Sequence, residues 1–282
     1  MEHLAIVLRA FYLAASALIL FLQAIPPLRN RFLAYGSRNT SPKSIKAKPP
    51  NILERLLDYA ASVQVPHNYF THFYVASVAS SLFWGWKLRL WDAGGQLPFV
   101  WALMLGQGGR RLVESYVYTS SSKSRMWFVH WLLGLLFYLA NNVAVWVELQ
   151  EDIAKGTKST PDGLNWKPSI VVPAILTAQM FQHLYHAYLY RLRIQNRDYQ
   201  LPSHWLFPNL LCPHYTCDIA FYVLLSLLGA PAGHIVNWTL ASAAVFSATN
   251  LGVTAAGTKA WYEEKFGKDK VSGRRRMIPW VW

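Results

Sequence analysis

The chain has 282 residues, of which 53% are hydrophobic and 15% aromatic, with 13 Trp and a formal net charge of +13. Long apolar stretches at this length exclude an ordinary soluble domain and point to one membrane domain. The basic residues lie beside the apolar stretches, so they read as membrane topology, with a general attraction to anionic headgroups, and not as a nucleic-acid surface.

A spanning helix needs about 20 mostly apolar residues. In chain order, 4–25, 69–91, 97–118, 126–149, 169–192, 219–238 and 238–257 qualify. The third does so only if protein shields its polar second half, and the last is built of small residues. The expected fold is all-α, a polytopic membrane protein with about seven transmembrane helices. The first stretch lacks a basic leader and a small-residue cleavage site, so it is expected to remain as a helix. Residues 1–64 form an N-terminal helix and basic loop. The segment 30–50 is polar, basic and rich in Ser and Pro, and predicts a mobile loop. Residues 51–62 carry Ile52, Leu53, Leu56, Leu57 and Tyr59 in a pattern that suits a short interfacial helix. Polar loops are expected at 150–168 and 195–213. Trp84, Trp86, Trp91, Trp280 and Trp282 suit the membrane–water boundary.

Of the 27 Lys and Arg, 21 fall in alternate connections and in the tail after the last stretch. The positive-inside rule then places the N-terminus outside or in the lumen and the C-terminus in the cytosol. The two cysteines, Cys212 and Cys217, fall in a predicted cytosolic loop. They imply a reducing compartment and buried thiols, and two ligands alone do not close a zinc site. No metal is expected.

Ionisable groups inside hydrocarbon are costly and usually mark a pathway or site. Four segments carry them. In QGGRRLVESYVY (107–118), Arg111, Glu114 and Tyr118 share one helical face; the pair either staples helices or serves a site. In QHLYHAYLYRLR (182–193), Gln182, His186 and Arg193 share a face that can present an amide, an imidazole and a guanidinium to one ligand, or Arg193 snorkels to the surface. In CPHYTCD (212–218), His214, Tyr215 and Asp218 stand at the start of the sixth stretch. In the tail from 258 to 282, Lys259 and Tyr262 are three apart, within a cationic run that either is solvated or holds dinucleotide phosphates.

These segments, in this order, resemble the steroid 5α-reductase family, and within it the polyprenol (polyprenal) reductase branch of dolichol synthesis for protein N-glycosylation. VPHNYFTHFY (65–74), QGGRRLVE, QHLYHAYLYRLR, PHYTCD and the ending AWYEEKFG…RRRMIPWVW carry the resemblance across 65–282, which is thereby read as the catalytic region. It implies seven helices, NADPH as hydride donor, and reduction of a C=C bond conjugated to a carbonyl on a long-chain isoprenoid lipid in the endoplasmic reticulum membrane. It also implies a cofactor site lined by Arg111, Gln182, His186, Arg193, His214, Tyr215, Asp218, Lys259 and Tyr262. Steroid-reducing members hold the steroid carbonyl with a Glu and a Tyr where this chain has Gln64 and Gly108, so a steroid substrate is not implied. Lys259 stands where the family commonly has His.

A hydride needs a carbon whose developing charge can delocalise. An α,β-unsaturated aldehyde offers this and an allylic alcohol does not, so polyprenal is the expected acceptor. His72, Tyr74 and Tyr118 are the candidate donors to the enolate oxygen, with Glu114 orienting or relaying a proton. A di-iron hydroxylase would need more histidine boxes than His183–His186. An isoprenylcysteine-type methyltransferase and a lipid transporter are the other classes, the latter without a visible repeat.

Overall fold

The computed structural model describes residues 2–33, 51–118, 124–155, 166–196 and 198–282. The expected mobile loop falls mostly outside the described residues, as does most of the 150–168 loop.

Among the described residues, seven long helices carry the fold: α1 (Glu2–Ala24), α4 (Phe70–Leu88), α5 (Leu97–Val117), α6 (Phe128–Val147), α8 (Trp166–Gln195), α9 (Pro213–Leu228) and α10 (Trp238–Phe266). Short helices α2 (Pro26–Phe32), α3 (Ile52–Ser62), α7 (Gln150–Lys155) and α11 (Lys268–Val271) join or flank them. Among the described residues, α1, α6 and α10 are each long and apolar enough to cross a membrane by composition alone. The polar residues of α5, α8 and α9 are instead turned against one another, as the next subsection describes. Large apolar side chains such as Val7, Phe21, Phe83, Trp86 and Leu136 face outward. An apolar exterior around polar inward-facing residues suits a helical membrane protein, in which lipid covers the outside.

Local chemistry sets the helix ends. Pro26 and Pro27 open α2 just after α1, because a proline fits the first turn, where its missing N–H is not needed. Asn51 and Glu54 form a reciprocal cap on α3, the Asn51 side chain accepting from Glu54 N–H at 2.8 Å. Ile52, Leu53, Leu56 and Tyr59 of α3 are exposed, as an interfacial helix requires. Helix α9 begins six residues before the expected 219, because Pro213 takes its first turn and the polar PHYTCD segment is helical. It stops at Gly229, which accounts for the end well before 238. Asn237 then caps α10 through its side chain to Leu240 N–H at 3.0 Å, and α10 runs past 257 to Gly267, at φ 90°.

A two-stranded antiparallel ribbon, β1 (Gln64–Pro66) on β2 (Arg125–Trp127), is the one sheet among the described residues. It pairs Val65 with Met126 and ties the starts of α4 and α6 together. The centre of the bundle is aromatic. Tyr12, Phe137, Tyr222 and Phe246 pack with ring centroids 4.8–6.5 Å apart. The Tyr12 hydroxyl donates to Asn141 Oδ1 at 2.8 Å, which satisfies two polar groups where no water reaches.

Direction along the helices sorts the polar residues to two ends. The C-terminal halves of α5, α8 and α10 and the start of α9 meet at one end. The start of α1, the end of α6 and the start of α10 meet at the other. There Arg9 Nη2 donates to Glu148 Oε1 at 2.7 Å, and the same carboxylate accepts from Thr239 N–H at 2.7 Å and Trp238 N–H at 3.2 Å. A carboxylate at a helix N-terminus satisfies otherwise unpaired amides and matches the helix dipole.

Candidate active site

Glu114 organises the site. Its side chain is 3% exposed. Arg110 and Arg111 precede it by four and three residues, so both reach it from its own helix. Arg110 Nη1 donates to Oε1 and Arg111 Nη1 to Oε2, each at 2.5 Å. Helix α8 supplies two imidazoles, His183 Nδ1 at 2.8 Å from Oε1 and His186 Nδ1 at 2.8 Å from Oε2. The rings sit three residues apart, a spacing that puts one on each oxygen of a single carboxylate. A buried ion cluster of this kind holds only when all its lone pairs and protons are used.

Two further branches extend the cluster. Arg111 Nη2 donates to the hydroxyl oxygen of buried Tyr74 on α4 at 2.6 Å, with the guanidinium also lying over the tyrosine ring. In the other branch, Arg110 Nη2 donates to Gln107 Oε1 at 2.6 Å and also to Gln182 Oε1. The amides of Gln107 and Gln182 both donate to Asp218 Oδ1, at 3.1 and 2.9 Å, joining α5, α8 and α9. Gln182 Nε2 also donates to the His214 carbonyl at 3.3 Å. His214 lies with its ring 5.2 Å from that of His186, edge to face, and stacked 5.3 Å from Tyr185.

Of the residues singled out in the sequence, Tyr74, Arg111, Glu114, Gln182, His186, His214 and Asp218 therefore form one buried constellation. Gln107, Arg110 and His183 belong to it as well, although the sequence reading gave none of them a role in the site. Their signal was helical spacing: Arg110 lies four residues before Glu114, Gln107 three before Arg110, and His183 three before His186. His72 is not part of it. It is exposed and lies against Tyr69 and Trp131, because two residues along a helix turn it well away from Tyr74. Tyr118 caps the end of α5 and rests its ring against His183 and Tyr190, beside the constellation. Gln64 sits in the ribbon, donating to the Ala61 carbonyl at 3.2 Å. A Cβ at position 108 would lie 2.9 Å from Ser77 Oγ, so α4 packs closely against α5 at Gly108.

The remaining residues form an adjoining layer. Tyr215 contacts His214 at 4.2 Å between ring centroids and packs against the cluster of Leu211, Cys212, Tyr262 and Met277. Tyr262 meets Trp261 at 5.0 Å, Trp261 meets Tyr199 at 5.0 Å, and the Arg193 guanidinium covers Tyr199 at 4.6 Å. Lys265 lies over the same Tyr199 ring. Lys259 Nζ donates to the Arg274 carbonyl at 2.8 Å. The tail is stitched to the loop before α9 through Leu211 and Cys212 N–H to the Arg275 and Arg276 carbonyls, at 3.0 and 2.8 Å. Arg193, Lys259 and Tyr262 thus share an end of the molecule with Arg111 and His214, in an adjoining layer with aromatic and backbone contacts of its own.

A dinucleotide places acidic phosphates and a carboxamide-bearing ring in one site. Among the described residues, buried Arg110 Nε and His214 Nδ1 have no hydrogen-bond partner. Arg193 and Lys265 lie over aromatic faces on the adjoining layer. An open guanidinium N–H and an open imidazole nitrogen in the buried layer, with stacked cations beside it, fit such a ligand. No group of three or more potential metal ligands occurs among the described residues.

Comparison with known proteins identifies the family. Residues 119–282 match the family described as 3-oxo-5-alpha-steroid 4-dehydrogenase. The chain is 30% identical to polyprenal reductase of Saccharomyces cerevisiae over 273 residues, which are 96% of this chain and 92% of the relative. The chain belongs to the steroid 5α-reductase family. Its similarity extends to polyprenal reductase 2 of Oryza sativa subsp. japonica, at 28% identity over 70% of this chain and 61% of the relative. Polyprenal reductase 1 of Arabidopsis thaliana is 27% identical over 77% of this chain and 82% of the relative. The family match covers α6 to the tail, whereas Tyr74, Arg111 and Glu114 lie before it, within the stretch that the yeast relative spans. As a member of this family the chain is an oxidoreductase.

Proposed function

We propose that the chain reduces the α-isoprene double bond of polyprenal, with NADPH as donor, in the dolichol synthesis that supplies protein N-glycosylation. Its setting is the endoplasmic reticulum membrane, crossed by seven helices with the C-terminus in the cytosol. The names of the relatives and the order of the motifs support the reaction class. The single observation that carries the mechanism is the Tyr74 hydroxyl held by Arg111 inside a buried ion cluster.

NADPH, when bound, supplies hydride to the β-carbon of the conjugated aldehyde. What the chain must supply is a hydrogen bond to the carbonyl oxygen as it gains charge, and a proton. Tyr74 is placed for this. Its oxygen accepts from Arg111, so its own proton is directed elsewhere, and the guanidinium stays beside the phenolate when that proton leaves. His72 faces outward and Tyr118 stands beside His183, which leaves Tyr74 as the donor of the three. Glu114 holds Arg111 and His186 in place. Gln182, His186, His214, Tyr215 and Asp218 would line the inner part of the cofactor site, with Arg193, Lys259 and Tyr262 toward its phosphates. The isoprenoid tail needs only apolar surface and lies between helices or in lipid. Residues 65–282 form the catalytic region, with 1–64 as the N-terminal helix and loop.

The test is direct. Purified protein in nanodiscs is given NADPH and a short-chain polyprenal, and both nicotinamide oxidation and the saturated aldehyde are followed. Stoichiometric formation of both supports the proposal. Methyl transfer from S-adenosylmethionine without nicotinamide oxidation would replace it.

A further inference from the structure

Helix α8 carries a second polar stripe that the proposed cofactor site leaves unused. Gln182, His186 and Arg193 share one face. His183, Leu184, Ala187, Tyr188 and Arg191 fall on the opposite one, since each residue turns the helix by about 100°. Arg191 and Arg193 therefore serve different sides of the same helix. The second stripe lines a cavity of about 300 Å³, closed by Tyr118 at the end of α5 and by His204, Trp205 and Leu206 on the loop before α9. That loop is held in place. The Tyr188 hydroxyl accepts from Ser203 N–H at 2.7 Å and donates to the Ser203 carbonyl at 3.0 Å, and the Tyr188 ring meets His204 edge-on at 4.8 Å.

Two hydrogen bonds fix what the imidazoles offer. Glu114, paired with two guanidinium groups, is a carboxylate and only accepts, so neutral His183 carries its proton on Nδ1 and leaves Nε2 bare. At His204 the order is reversed. Leu206 N–H donates to Nδ1 at 3.2 Å, so the proton sits on Nε2. Partial burial lowers the His204 imidazole below its ordinary value, which keeps that ring neutral. The cavity thus offers one acceptor, one N–H donor and one guanidinium. None of the described residues that line it is acidic, so the Arg191 charge is unopposed there. The remaining wall is aromatic or apolar, and the Trp205 ring is 81% exposed beside it. Arg191 lies near the end of α8, at the depth where a lipid headgroup meets water.

We propose that this cavity binds the head of an isoprenoid phosphate monoester, whose tail runs over Trp205 and Leu184 into lipid. The isoprenoid half of the proposal rests on the reductase reading, and the phosphate half rests on the cavity alone. A singly protonated phosphate monoester matches all three polar groups. Its charged oxygens accept from Arg191 and from His204 Nε2–H, and its P–OH donates to His183 Nε2. The second ionisation of such a phosphate lies near pH 6, so this form is within reach at neutral pH. A phosphodiester head, as in bulk phospholipid, has no P–OH and leaves His183 Nε2 unpaired. A neutral isoprenoid alcohol leaves Arg191 without an anion. The site is distinct from the proposed cofactor site, because it uses the opposite face of α8.

The test measures binding and needs no turnover. The full chain in phosphatidylcholine nanodiscs, without NADPH, is titrated with a radiolabelled short-chain isoprenyl monophosphate. Saturable binding is expected. Arg191→Gln and Trp205→Ala should each weaken it about tenfold, and Arg191→Lys should recover part of the loss, since lysine keeps the charge without the fork. Both side chains are exposed, so the variants should melt with the wild type. The matching alcohol and the matching methyl phosphodiester should each bind about tenfold more weakly or worse. Saturating NADPH should leave the affinity unchanged. Equal binding by the alcohol or the diester, indifference to Arg191→Gln, or displacement by NADPH would each overturn the proposal. Equal competition by inorganic phosphate would make this a free-anion site and overturn the isoprenoid assignment. A chain that binds the monophosphate yet oxidises no NADPH with polyprenal fails the reductase reading and keeps the phosphate site. A working reductase without saturable binding fails the site alone.

Discussion

Arg111 donates to the Tyr74 hydroxyl oxygen at 2.6 Å while remaining paired to Glu114. The contact links α4 to α5 and fixes the direction in which Tyr74 can give its own proton. In the proposed reaction it also separates two jobs: the guanidinium supplies charge, and the phenol supplies the proton.

Replacing Tyr74 by phenylalanine keeps the ring packing against Tyr138 at 5.5 Å and removes only the hydroxyl. The expected result is a kcat lower by about a hundredfold, as for loss of a general acid, with the apparent KM for NADPH little changed. Steady-state kinetics on the short-chain aldehyde checks this. Unaltered turnover would take Tyr74 out of the chemistry.

Glu114→Gln leaves Arg110 and Arg111 side by side without their shared anion. Removing one partner of a buried ion pair costs about 3–5 kcal/mol, because the remaining charge is buried and uncompensated. The variant should unfold at markedly lower temperature in nanodiscs even without substrate. A wild-type melting profile would show that the cluster is solvated enough to do without the carboxylate.

The helices and the inward-facing polar residues were largely legible in the sequence, since apolar length and charge placement are strong signals. The partners of Glu114 were only half legible. Arg110 and Arg111 are about 100° apart on a helix, and a face-by-face reading picks one of them. His183 and His186 read as an incomplete iron box. The spacing that fails for iron is the spacing that brackets one carboxylate. The ribbon of 64–66 on 125–127 escaped because each strand has three residues and Pro66 argues against a strand. The start of α9 was misplaced because PHYTCD is polar, although Pro213 was a signal for a helix start. Arg193 fell on the same helical face as Gln182 and His186, yet lies roughly two turns beyond His186 and meets the loop residue Tyr199 instead.

That separation makes a prediction about Arg193. The residue stacks on Tyr199 in the adjoining layer and is absent from the buried cluster. Arg193→Ala should therefore raise the apparent KM for NADPH, by about tenfold if a phosphate contact is lost, while kcat at saturating NADPH and the melting temperature change little. A titration of NADPH binding by intrinsic fluorescence measures the same loss directly. An unchanged affinity would leave Arg193 as a surface stack.

The opposite end of the bundle offers the contrasting case. Glu148 caps the start of α10 and pairs with Arg9 of α1, far along the helices from Glu114. Loss of a capping side chain costs about 0.5–2 kcal/mol, so Glu148→Ala should lower thermal stability modestly and leave the NADPH KM unchanged. In the proposed topology this end faces the lumen, and a glycosylation acceptor added before Glu2 should be modified while a reporter fused after Trp282 stays in the cytosol. Modification at the C-terminal fusion would place the basic tail and its neighbouring cluster in the lumen, away from the cytosolic nicotinamide pool. The cofactor assignment of Arg193, Lys259 and Tyr262 would fall with it.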